Sequence, residues 1–111
     1  MDTQTNFAPL IKNIIDEYAQ YQPSHGDIHS YVTYDDKHGN YALLEAGWQD
    51  DKYIHHTIIH VGFQDKKIWI HCDNTEEGIA TELVEAGISK EKIVLGFRPP
   101  EIRQYTEFAA M

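Results

Sequence analysis

Between residues 28 and 73 the apolar and polar positions alternate with period two, in short runs rich in Ile, Val, Thr and Tyr. That is the pattern of pleated strands with one buried side. It predicts four strands, at 28–35, 41–48, 53–64 and 67–73. The connections Asp36-Lys37-His38-Gly39, Gln49-Asp50-Asp51-Lys52 and Asp65-Lys66 are short enough to force an antiparallel meander. On either side the period changes. Phe7, Leu10, Ile11, Ile14, Ile15 and Tyr18 recur at helical spacing and predict a helix over about 7–22, after a frayed polar start at 1–6. Pro9 then sits in its first turn, where proline is tolerated. Pro23 and Gly26 break the chain, and Ser24-His25-Gly26-Asp27 reads as a loop.

The stretch 67–87 organises the rest. Its strand stops at Asp73-Asn74-Thr75, where Asn74 or Thr75 can cap a helix, with Glu77 completing a capping box and Glu76 and Glu77 in the first turn. Ile79, Ala80, Leu83 and Val84 form an apolar stripe, and Gly87 ends the helix. The connection is short, so this helix folds back over its own sheet. Ser89-Lys90-Glu91-Lys92 reads as one capped helical turn, 93–97 as an added strand or extended packing segment, and 101–105 as a short helix starting at Pro100. The fold class is therefore α+β: an N-terminal helix, a four-stranded antiparallel meander, a second helix packed on the sheet, and a short C-terminal strand/helix segment. It forms one domain over residues 1–111.

A two-residue turn at Asp65-Lys66 pairs Phe63 with Ile68, Val61 with Ile70 and Ile59 with Cys72 on the helix side. The opposite side then pairs Gly62 with Trp69, His60 with His71 and Ile58 with Asp73. A two-residue turn at Asp50-Asp51 adds Glu45 opposite His56, Leu43 opposite Ile58 and Tyr41 opposite His60. Neither turn has the glycine that a primed turn prefers, so a bulge can shift either one. In this register the outer face carries Tyr41, Leu43, Ile54, Ile58 and Trp69 among His, Glu and Asp. Aromatic anchors in a polar surround describe a protein interface, here Tyr41, Leu43, Ile58, His60, Trp69 and His71. The alternative is that another element, such as the C-terminal segment, covers this face within the monomer.

Composition narrows the chemistry. Nine Lys plus Arg stand against 18 Asp plus Glu, a net charge of −9 over 111 residues. DNA binding draws on clustered cations that neutralise phosphates, and there is no such cluster. A basic partner, or one with a basic patch, fits better than DNA itself. The single cysteine, Cys72, excludes an internal disulfide and reads as a core residue. No apolar run reaches the ~20 residues of a membrane helix, and nothing resembles a signal peptide. The expected location is the cytoplasm.

Seven histidines invite a metal hypothesis. His56 and His60, four apart on a strand, stand roughly 13 Å from each other. His60 and His71 face each other, with Asp73 further along, but two imidazoles and a distant carboxylate fall short of the three or four ligands zinc takes. No phosphate-cradling loop, HExxH or nucleophile elbow occurs. Glu45 opposite His56 reads as a cross-strand ion pair. The expectation is no catalytic residue, no cofactor and no metal.

The chain resembles the fdxN-element excision controlling factor proteins, XisI-like. Residues carrying the resemblance run from Ile14-Ile15-Asp16-Glu17-Tyr18 through Pro23-Ser24, Gly26-Asp27-Ile28 and Gly47-Trp48 to Lys67-Ile68-Trp69-Ile70 and Asp73. They continue in Thr75-Glu76-Glu77-Gly78-Ile79-Ala80, Glu82-Leu83-Val84, Gly87-Ile88, Ile93-Val94-Leu95-Gly96-Phe97, Arg103 and Thr106-Glu107-Phe108-Ala109. Lys66 departs from the glycine that many relatives carry in that turn. The resemblance implies a role in programmed excision of a DNA element during heterocyst differentiation in cyanobacteria. It also implies action with a XisH-like companion of endonuclease-like fold, beside a site-specific recombinase. A non-enzymatic accessory protein that binds this companion is the leading expectation, with self-association possible. An antitoxin-like inhibitory subunit is the second.

Overall fold

The computed structural model describes residues 3–21 and 27–111, with residues 3–6 as backbone only. The expected loop residues Ser24, His25 and Gly26 lie outside the described residues. Helix α1 spans Thr3–Ala19, so it starts earlier than its apolar stripe does and stops before residue 22. Pro9 consequently falls in its interior, at the loss of one ladder hydrogen bond. Strands β1 (Asp27–Asp35), β2 (Asn40–Gln49), β3 (Lys52–Gln64) and β4 (Lys67–Asp73) follow, within a residue of the expected positions. Helix α2 (Ile79–Glu85), a single 3₁₀ turn (Lys90–Lys92), strand β5 (Ile93–Leu95) and helix α3 (Pro100–Arg103) complete the chain.

The sheet order is β1-β2-β3-β4-β5. The first four strands form the antiparallel meander, and β5 joins β4 in parallel after the α2 crossover. Helices α1 and α2 cover one face. Ile11, Ile15, Ile79 and Leu83 pack there against Tyr41, Leu43, Ile59, Val61, Ile68, Ile70 and Ile93. Each of these is 2% exposed or less, so the stripes read from both helices are the core seams.

Both tight turns keep two residues, since Gln49 pairs with Lys52 and Gln64 with Lys67. Asp65 and Lys66 adopt φ of 54° and 64°, the left-handed pair that a primed turn needs, without glycine. The register then slips further along the strands. A bulge between Leu43/Leu44 of β2 and the facing stretch of β3 leaves Ile58 without an opposite residue, so Leu43 pairs Ile59 and Tyr41 pairs Val61. A second bulge at His71 of β4 places Cys72 opposite His60 and Asp73 opposite Ile59. Each extra residue inverts the faces on one side of it.

The β4 bulge has a local consequence. Asp73 turns to the helix side and organises the start of α2. Its Oδ2 accepts the Ile79 N–H at 2.7 Å, and its Oδ1 accepts the Thr75 N–H and hydroxyl. Thr75 Oγ1 in turn accepts the Gly78 N–H at 3.1 Å. The cap is therefore Asp73 acting through Thr75, rather than Asn74, and Glu76 and Glu77 precede the helix instead of filling its first turn. At the other end Gly87 (φ 105°) closes α2. The Gly87 N–H reaches Val84 O and the Ile88 N–H reaches Leu83 O, each at 3.0 Å.

Candidate interface on the open sheet face

The side of the sheet away from α1 and α2 is built by alternation. β1 turns His29, Tyr31 and Thr33 to it, β2 turns Ala42, Leu44, Ala46 and Trp48, and β3 turns Tyr53, His55, Thr57 and His60. Tyr31, Trp48 and Tyr53 are each 54% exposed. Trp48 and Tyr53 meet edge to face, with ring centroids 5.2 Å apart. β1 can lie beside this hairpin because residue 47 is glycine. A Cβ there would come within 2.1 Å of the Asp27 carbonyl oxygen.

The six residues expected to form the interface separate into two groups. Tyr41 and Leu43 belong to the core, 0% and 2% exposed, and Ile58 packs against the same core. The cause is the Ile58 bulge: with one residue added to β3, the strand facing the outer side inverts, and Tyr41 and Leu43 turn beneath α1. Tyr41 donates its hydroxyl to Asp36 at 2.7 Å, and Lys12 from α1 closes on the same carboxylate at 2.8 Å. Together these contacts hold the Asp36 carboxyl below the usual range, the Lys12 bond first among them. Ile54 likewise moves to the helix side with His56 and Glu45. Glu45 does bond His56, at 3.0 Å.

His60, Trp69 and His71 do come together on the outer side. The two imidazole rings are 4.9 Å apart, and His71 stacks towards Trp69 at 6.4 Å. His60 Nε2 lies 3.2 Å from Asn40 Oδ1, and Trp69 donates its indole N–H to Gln64 O. His71 is exposed at the edge of the sheet, yet partial desolvation, followed by the neighbouring His60, pushes its pKa down. The C-terminal segment covers this end of the face. The Arg103 guanidinium sits 5.1 Å over the Trp69 ring and donates to Arg98 O and Gly96 O. A Cβ on Gly96 would touch both Trp69 and His71. Val94 is fully buried and bridges to Ala109. The C-terminal segment thus covers Trp69, His71 stays exposed at the edge of that cover, and the outer side of β1–β3 stays open.

The three exposed aromatics of that open part escape the sequence reading. Turn chemistry correctly pairs Trp48 with Tyr53, but without the bulge the alternation assigns both to the core. Tyr31 needed the β1–β2 register.

Other chemical groups are distributed apart from this face. Among the described residues no three His, Cys, Asp or Glu gather as metal ligands, and Asp73 has turned away from the His60–His71 pair. Cys72 is half-buried with Sγ 3.5 Å from Thr57 O, and burial followed by Asp73 pushes its thiol pKa up. On the helix side a cavity of about 570 Å³ is lined by Glu17, Tyr18, Tyr21, Glu76, Glu77 and Glu82. The Tyr18 hydroxyl donates to Glu82, and burial together with that contact raises the Tyr18 pKa to about 12. No helix among the described residues is long and apolar enough to cross a membrane.

Comparison with known proteins adds to this geometry. The family model described as XisI protein matches residues 1–110. Among solved structures, a XisI-like protein from Anabaena variabilis ATCC 29413 superposes with a TM-score of 0.88 at 32% identity, covering 95% of this chain and 96% of that one. The fdxN element excision controlling factor XisI from the same organism superposes with a TM-score of 0.85, also at 32% identity, covering 99% and 100%. No curated protein matches.

Proposed function

The chain belongs to the XisI protein family, and we propose from this that it is a controlling factor for excision of a DNA element, acting without catalysis through contact with a XisH-like companion. The observation that carries the reading is the end-to-end likeness to a solved excision controlling factor at 32% identity. Charge supports it: at −9 the protein is suited to a partner with a basic patch and unsuited to gripping phosphates alone. The contact proposed for the companion is the part of the β4 end that the C-terminal segment leaves exposed, His71 with His60 beside it. The wider setting would be a recombinase complex that the pair permits or restrains.

Co-expression with the XisH-like protein of the same genome tests this. The two should co-purify, and His71→Ala should weaken capture while the chain still melts cooperatively. Failure to co-purify would remove the companion from the proposal. The protein alone should bind duplex DNA no tighter than about micromolar at physiological salt, and sub-micromolar fluorescence anisotropy would contradict the accessory role.

The acidic cavity favours a second reading. Glu17, Glu76, Glu77 and Glu82 have no ion-pair partner among the described residues. Such a surface could occupy the basic cleft of a nuclease-like companion and silence it. Toxicity of the companion expressed alone, relieved by this chain, would select this reading.

A further inference from the structure

The open part of the outer face has an unusual charge pattern for this molecule. The whole chain carries 18 acidic residues. Of the positions that β1, β2 and β3 turn to the outer side, only Asp27 and Asp35, at the two ends of β1, are carboxylates. Between them lie His29, Tyr31, Thr33, Ala42, Leu44, Ala46, Trp48, Tyr53, His55 and Thr57. Glu45, the one glutamate within these strands, points to the other side and bonds His56. A protein of net charge −9 repels a copy of itself through any average part of its surface. On this face two copies can meet with carboxylates only at the margin, at Asp27 and Asp35.

Its relief is also self-complementary. Tyr31, Trp48 and Tyr53 project, whereas Ala42 and Ala46 leave hollows along the middle strand. In the cross-strand rows Ala46 lies between His29 and His55, and Leu44 between Tyr31 and Thr57. Two such faces related by a two-fold axis seat projecting rings over alanines, as sheets pack at about 10 Å separation. Three strands and their side chains span about 15 Å, and nine residues about 30 Å. That footprint of about 450 Å² per partner is at the small end of specific interfaces, so the projecting rings must carry the affinity. Tyrosine and tryptophan are also the residue types that most often dominate binding energy at such interfaces.

We propose that this protein forms a two-fold homodimer by packing the open faces of β1–β3 against each other, with Tyr31, Trp48 and Tyr53 seated over Ala42 and Ala46 of the second copy. The assembly needs no companion, so it stands or falls separately from the function proposed above.

Sedimentation equilibrium of the purified chain alone tests it. The apparent mass should rise with concentration towards twice the monomer value. Trp48→Glu should weaken dimerisation by more than about tenfold, as loss of a central aromatic anchor does. Ala46→Arg fills a hollow without touching the aromatic residues and should do the same. Tyr105→Glu, at an 81% exposed position of the C-terminal segment, should leave the mass unchanged. Thermal melting of each variant checks that the monomer is folded. A monomer at every concentration overturns the proposal. So does a dimer that survives both Trp48→Glu and Ala46→Arg in folded protein.

Discussion

Single residues set the ends of α2, and their effects can be measured separately. Asp73 binds Ile79, which opens the helix, and Thr75, which leads into it. Asp73→Ala should therefore cost roughly 0.5–2 kcal/mol, the range for losing a side-chain cap, read as a lower urea midpoint with an unchanged slope. An unchanged midpoint would mean that Thr75 alone suffices. Two other residues expose one backbone term with opposite signs. Gly87 has positive φ and open space around its missing Cβ, so Gly87→Ala should lose about 1 kcal/mol through conformation alone. Lys66 holds a similar left-handed φ of 64° with a side chain, so Lys66→Gly should gain a comparable or smaller amount. Equal signs for the two would show that something other than backbone conformation decides them. Gly87 was legible in the sequence because a helical stripe ran up to it. Asp73 was not, because its role depends on which face of β4 it occupies.

That dependence belongs to the strands. Strand positions, short turns and both helix stripes follow from periodicity, because a buried face requires a repeat that survives in the residue order. The bulges do not follow from it. Around Ile58 the text reads Thr57-Ile58-Ile59, three β-branched residues with no glycine or proline to mark an extra position. Both registers give Leu43 an isoleucine partner, Ile58 or Ile59, and burial of Tyr41 in the cluster that includes Ile11 and Ile15 of α1 decides between them. The same ambiguity explains why half of the expected interface proved to be core, while Trp48 and Tyr53 emerged on the open side. The seam between α2 and the sheet has no such ambiguity. Leu83 is 0% exposed within the cluster formed by Ile68, Ile70 and Ile93. Leu83→Ala should cost about 2–5 kcal/mol, the transfer and cavity terms together. A midpoint equal to the parent's would show that α2 does not clamp the β4–β5 edge.

At the scale of the whole molecule, the C-terminal segment and the two helices lie on opposite sides of the sheet, and each side contains a titrating group that couples packing to pH. On the helix side the Tyr18 pKa is raised from 10.0 to about 12, first by burial and then by Glu82. A raised folded value means that the neutral phenol is the form the fold holds. Its contribution is complete below about pH 10 and declines as pH rises through about 12. Tyr34 is shifted in the same direction by burial and Asp16, so the two steepen one alkaline limb. On the outer side His71 is shifted down by partial desolvation and by His60. Here the unfolded chain takes up the proton first, so the contribution is present above about pH 6.5 and is lost as pH falls below it. The charged ring would face His60 and lie beside Gly96, in the layer where Arg103 already places a cation over Trp69. Urea midpoints should therefore fall between about pH 8 and about pH 5.5, the range in which histidine titrates before most carboxylates do. His71→Gln, which cannot charge, should flatten that fall while leaving the alkaline limb in place. If the variant keeps the parent's full acid dependence, His71 is not the group that links this end of the sheet to pH, and the C-terminal cover does not depend on a neutral imidazole at its edge.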